Sequence, residues 1–114
     1  MHELSIAQSI IQIVEKSIPQ NFNKQITHVH LQIGVLSGIE IEALEFAFQI
    51  LKEKSKIPSS QLVIDKLLGE AYCNNCCFVF EVSKFGESCP NCHNFDISIL
   101  KGKEMKVSRI EASE

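Results

Sequence analysis

Two pairs of cysteines, Cys73-Asn74-Asn75-Cys76 and Cys89-Pro90-Asn91-Cys92, carry the clearest chemistry in this sequence. A CxxC turn points two sulfurs at one centre while nearby backbone amides hydrogen-bond them, and zinc takes four such ligands at about 2.3 Å. The stretch from Cys77 to Ser88 separates the pairs and is long enough for two facing hairpins. The spacing predicts one tetrahedral site holding structural zinc on Cys73, Cys76, Cys89 and Cys92. Four thiolates leave no position open for water or substrate, so the site reads as scaffold rather than catalyst. Two rivals stand beside it. A redox dithiol of a small redox enzyme needs only one CxxC next to a βαβ pattern, and rubredoxin-like iron finds no other sign of electron transfer in the chain. Cys77 reads as a spare thiol whose place beside Cys76 would let it substitute as a ligand. His93, beside Cys92, reads as a surface or supporting residue, with a ligand role as the alternative.

The second place with metal chemistry is the N-terminus. Met1-His2-Glu3-Leu4-Ser5 puts an amine, an imidazole and backbone amides within three residues, donors that can wrap a square-planar ion in fused chelate rings. Ni(II) and Cu(II) favour that tetragonal nitrogen geometry, and binding would depend strongly on pH because the ligands must shed protons. From the residues alone, His2 is simply the second residue of a frayed terminus, and Glu3 an acidic residue well placed in a first helical turn. His28 and His30 share one face of a strand and read as a solvated face in preference to a metal-gripping pair.

The chain has 114 residues, 45% hydrophobic and 22% charged, which suits one small domain with a modest core and an appendage. A net charge of −3 gives no global positive field to hold nucleic acid or an anionic membrane. Between Ala71 and Leu100 the charges are Glu81, Glu87 and Asp96 against Lys84, so the cysteine ribbon lacks a nucleic-acid reader's basic face. No apolar run approaches the roughly 20 residues that cross a bilayer, and a signal peptide's basic region and cleavage site are missing. Five cysteines, an odd number with four of them in two CxxC pairs, suit metal binding in a reducing compartment better than a disulfide framework. The expected location is cytoplasmic.

The elements that must position these residues follow from periodicity. Leu4, Ala7, Ile11, Val14 and Ile18, widened by Ile6, Ile10 and Ile13, predict a helix with a broad buried face that ends before Pro19. Ile26 to Ile33 alternates, with Val29, Leu31 and Ile33 on the buried side of a strand. Ser37-Gly38-Ile39-Glu40 fits the S-x-x-E capping box of a second helix built on Ile41, Leu44, Phe48 and Leu51. A second strand is expected from Leu62 to about Glu70, and a third holding Met105 and Val107, with a bulge or an early end near Arg109 because Ile110 falls out of phase. The expected fold is α/β: two helices packed on a small three-stranded sheet with a right-handed crossover, and an inserted four-cysteine zinc-ribbon-like module. Residues 1–70, completed by 101–114, would form one domain and 71–100 the metal module.

The opening MHELS, the first helix, the strand ending in IGVLSGIE and the paired CxxC motifs together resemble the HypA/HybF nickel metallochaperones over essentially the whole chain. None of these features alone would identify that family. The resemblance implies Ni(II) carried at the N-terminus, with His2 as the key ligand joined by the Met1 amine and the His2 and Glu3 backbone nitrogens. The Glu3 side chain would tune or support that site. Glu40 stands where related members carry an acidic residue implicated in nickel transfer or partner contact; its capping-box role is the alternative. The resemblance further implies delivery of Ni(II) to the precursor of the [NiFe]-hydrogenase large subunit with the GTPase HypB, and service to urease in some relatives. The protein would not be an enzyme, and with no GxxxxGK[ST] loop in the chain, nucleotide hydrolysis would belong to a partner. The competing reading is a zinc-ribbon adaptor that joins partners without nickel.

Overall fold

Ala7, Ile10, Ile11 and Val14 recur three and four residues apart and form the buried stripe of α1 (Glu3–Ser17). The computed structural model describes residues 3–113. The stripe is narrower than the sequence suggests, because Leu4 and Ile13 are 58% and 50% exposed. The chain then enters β1 (Ile26–Gly34), where Val29, Leu31 and Ile33 are buried and His28, His30 and Gln32 are half-covered. Helix α2 (Ile41–Lys52) buries Leu44, Ala47 and Phe48 and packs against α1.

The start of α2 differs from the expected capping box. Its N-cap is Glu40, in extended conformation with no side-chain cap of its own. The Glu40 N–H instead donates to Glu3 Oε2 at 3.1 Å, a bond that spans 37 residues and joins the start of α1 to the start of α2. A carboxylate at this position also complements the positive end of the α2 dipole.

The strand expected from Leu62 to Glu70 is in fact two strands. β2 (Gln61–Leu67) ends before Leu68, and β3 (Gly69–Cys73) belongs to another sheet. One sheet has the order β2-β1-β6, where β6 is Met105–Ala112; the other has the order β4-β3-β5, with β4 Val79–Val82 and β5 Ile97–Lys101. β3 pairs antiparallel with both neighbours: Ala71 faces Phe80 on one side and Ile99 on the other, with a register shift between Glu70 and Ala71 on the β5 side. β6 does not stop near Arg109. It runs through to Ala112, and its half-buried positions slip from Met105 and Val107 to Ile110, which accounts for the broken alternation.

The chain divides into two compact units, one of Met1–Leu31, Ile39–Ile64 and Val107–Glu114, the other of Gln32–Gly38 and Asp65–Lys106. Within the second, Leu36, Ala71 and Val82 form a buried cluster flanked by Val35, Phe80, Ile97 and Ile99. Leu36 is held there by backbone bonds: Gly34 N–H to Glu104 O (2.8 Å), Val35 N–H to Leu67 O (2.9 Å) and Leu36 N–H to Gly102 O (2.7 Å). Glycine is required at this crossing. A Cβ on Gly34 would overlap the Gly102 carbonyl, and one on Gly102 would come within 2.7 Å of the Gly69 Cα. Within the first unit, Glu111 pairs with His30 and lies 3.6 Å from the Arg109 guanidinium. The hydrogen bond to His30 is the main cause that holds the Glu111 carboxyl below its ordinary value of 4.5.

Two outcomes follow for stability. Gly34→Ala forces backbone to move and is expected to destabilise the protein by roughly 1–3 kcal/mol in denaturant unfolding. Because the folded-state pKa of Glu111 is depressed, its contribution is present above the unfolded value and is lost as pH falls through the folded one. Glu111→Gln should therefore lower the midpoint of thermal unfolding at neutral pH, and the gap to wild type should close as pH falls through the depressed folded-state pKa of Glu111.

Candidate metal centre

Each CxxC pair sits on a tight turn closed by its own backbone. Cys77 N–H donates to Cys73 O at 2.9 Å, and His93 N–H to Cys89 O at 2.7 Å. The residue after each second cysteine is left-handed, Cys77 at φ 66° and His93 at φ 64°, a conformation that glycine adopts more readily. The two turns thus repeat one design. Asn74 anchors the first, its N–H donating to Asp96 O at 2.9 Å and its Nδ2 to Asp96 Oδ1 at 3.1 Å and Ser98 Oγ at 3.0 Å.

The turns bring the sulfurs of Cys73, Cys76, Cys89 and Cys92 within 4.8 Å of one another. Cys73 Sγ lies 3.6 Å from Cys92 Sγ, and Cys76 Sγ 3.6 Å from Cys89 Sγ. Regular tetrahedral ligation at about 2.3 Å requires sulfur–sulfur edges of about 3.8 Å, so the donor set and its spacing fit a four-thiolate ion. All five cysteines are free of disulfides.

The four sulfurs are not equivalent. Cys73 and Cys89 are fully buried, and each accepts a backbone N–H from its own turn, Cys76 to Cys73 Sγ and Asn91 to Cys89 Sγ, both at 3.4 Å. Cys76 and Cys92 are half-buried and accept side-chain amides, Asn91 Nδ2 to Cys76 Sγ and Asn75 Nδ2 to Cys92 Sγ, both at 3.5 Å. The Asn75 amide, followed by the Asn94 backbone, draws the Cys92 thiol down to about 6, and the Asn91 amide is the main cause that lowers Cys76. A backbone bond from Cys76 favours the Cys73 thiolate, yet burial and the crowding of neighbouring sulfurs push its thiol up to about 11. A cation at the centre of the cluster would favour four thiolates.

The remaining candidates fall elsewhere. Cys77 is exposed, its thiol beside the Tyr72 hydroxyl, whose pKa it raises. His93 is exposed and outside the four-sulfur set. His28 and His30 have ring centroids 6.4 Å apart, but His28 Nδ1 pairs with Thr27 Oγ1 at 3.0 Å and His30 Nε2 is occupied by Glu111 and Arg109. Among the described residues, the only group assembled to hold a metal is the four cysteines. Met1 and His2 lie outside the described residues, whereas Glu3 is the first residue of α1 with its carboxylate on the Glu40 amide. The asparagine bonds to sulfur were missed by sequence reasoning; the shared Asn at the third position of both CxxC pairs was their only signal.

Residues 1–112 match the family model described as "Hydrogenase/urease nickel incorporation, metallochaperone, hypA". The chain belongs to the HypA family. HypA members are metallochaperones rather than enzymes. The chain is 37% identical over 110 residues to the hydrogenase maturation factor HypA of Parabacteroides distasonis, covering 96% of each. It is 38% identical over 111 residues to that of Psychromonas ingrahamii, covering 97% of each. Its fold is similar to the solution structure of the Ni metallochaperone HypA from Helicobacter pylori, with a TM-score of 0.68 and 28% identity, over 98% of this chain and 97% of that one. No helix among the described residues is long and apolar enough to cross a membrane. Cys89→Ser, which alters a buried sulfur, is expected to remove bound metal as measured by elemental analysis, whereas Cys77→Ser should keep the wild-type content.

Proposed function

We propose that this HypA-family chain binds Ni(II) at its N-terminus and delivers it to the precursor of the [NiFe]-hydrogenase large subunit, in the cytoplasm and with the GTPase HypB. The reading is carried by the family match, which starts at residue 1 and so takes in Met1-His2-Glu3. The nickel ligands are the Met1 amine, the His2 imidazole and the His2 and Glu3 backbone nitrogens, a set suited to square-planar Ni(II). The Glu3 carboxylate acts as support, since its bond to the Glu40 amide ties the residue that follows His2 to the N-cap of α2. Glu40 is exposed and offers its own carboxylate to a partner or to departing nickel.

Delivery requires retention without entrapment. A terminal chelate meets both needs: its fused rings hold the ion in a fixed geometry, and protonation of the imidazole or amine loosens it. Nickel is cargo here. The resident ion is structural zinc on Cys73, Cys76, Cys89 and Cys92, within the second compact unit, where it supplies a crosslink between two turns that have little core of their own. The nickel domain of residues 1–70 with 101–114 and the zinc module of 71–100 thus divide the two metals.

Calorimetry with Ni(II) on untagged protein tests the assignment. Wild type should bind one equivalent. His2→Ala, and separately a one-residue extension ahead of Met1, should lose stoichiometric binding while zinc content stays constant. Retained nickel binding in both variants would overturn the N-terminal site and favour a zinc-ribbon adaptor.

A further inference from the structure

The two kinds of hydrogen bond to sulfur divide along a topological line. Bonds to the buried Cys73 and Cys89 come from backbone N–H groups inside the same turn. They belong to the turn itself and persist whatever side chains it carries. Bonds to the half-buried Cys76 and Cys92 come from the opposite turn: Asn91, between Cys89 and Cys92, reaches Cys76, and Asn75, between Cys73 and Cys76, reaches Cys92. The exchange is reciprocal, with equal separations of 3.5 Å, and each bond depends on one side chain.

We propose that Asn75 and Asn91 are a matched pair of positioning residues that clasp the two cysteine turns across the metal and shield the two solvent-facing sulfurs. The proposal rests on zinc as the resident ion. A zinc-bound thiolate keeps lone pairs that attack electrophiles, and an N–H aimed at the sulfur withdraws the density on which that attack depends. Cys73 and Cys89 are protected by burial as well as by backbone amides. Cys76 and Cys92 lack that cover, and the asparagines take its place. Clasping also joins the turns directly, so that loss of one metal–sulfur bond leaves the released cysteine beside the ion. In a nickel carrier this keeps the four-thiolate site from releasing zinc or recruiting cargo ions.

Crosswise connectivity makes the test specific. Zinc-loaded full-length Cys77→Ser protein, which removes the exposed fifth thiol, is treated with iodoacetamide, and alkylation at each cysteine is followed by mass spectrometry alongside zinc content. Asn75→Ala should speed alkylation of Cys92, and Asn91→Ala that of Cys76, each by roughly three- to tenfold, the fold-change that matches the net strength of one ordinary hydrogen bond. The double variant should speed both and release zinc to a chromophoric chelator faster than either single variant. Asn75→Leu and Asn91→Leu, which keep side-chain shape without the donor, should reproduce the pattern and stand in for any alanine variant that fails to fold. Acceleration spread evenly over four cysteines, acceleration within the same turn, or unchanged rates would overturn the clasp. A wild-type chain that retains no zinc would instead overturn the metal assignment.

Discussion

A backbone crossing without room for side chains organises the second compact unit. Segment 34–36 is bonded to Leu67 on one side and to Gly102 and Glu104 on the other, and Gly34, Gly69 and Gly102 are the residues that let these strands approach so closely. The crossing delivers Leu36 to Ala71 and Val82, a small buried cluster flanked by half-buried Val35, Phe80, Ile97 and Ile99. Few apolar residues are available there, so geometry set by glycine and by sulfur replaces much of what a larger core would supply.

The cysteine turns follow the same economy. Their shape comes from backbone bonds and from two left-handed residues, Cys77 and His93, which tolerate a conformation other side chains resist because the turn closes around them. Sulfur reactivity is then graded by neighbours: amides of the turn serve the buried pair and asparagine side chains the outer pair. Support and reactivity are thereby separated, with the first written in the main chain and the second in replaceable side chains.

Periodicity made α1, β1 and α2 legible, since Val14, Val29, Leu31, Leu44 and Phe48 lie where a buried face must lie. CxxC spacing made the convergence of four sulfurs legible in the same way. The break at Leu68 was hidden because alternation from Leu62 onward continues through it, whereas Gly69 pairs with Val82 in another sheet and has no room for a Cβ beside Leu36 and Val82, partners far apart in sequence. Ser37 suggested a local cap for α2, and no local pattern pointed to the bond from the Glu40 N–H to the Glu3 carboxylate, 37 residues away. Continuation of β6 past Arg109 was likewise settled by its place in a sheet, a pairing that no local pattern encodes.

Cys77 sets terms for anyone isolating this protein. It is exposed, follows a cysteine of the cluster, and sits on a turn that holds it outward. Of the five thiols it alone has neither burial nor a place among the four. In air two chains would couple through it, and the doubled mass seen on a sizing column would vanish with reductant, an artefact that mimics assembly.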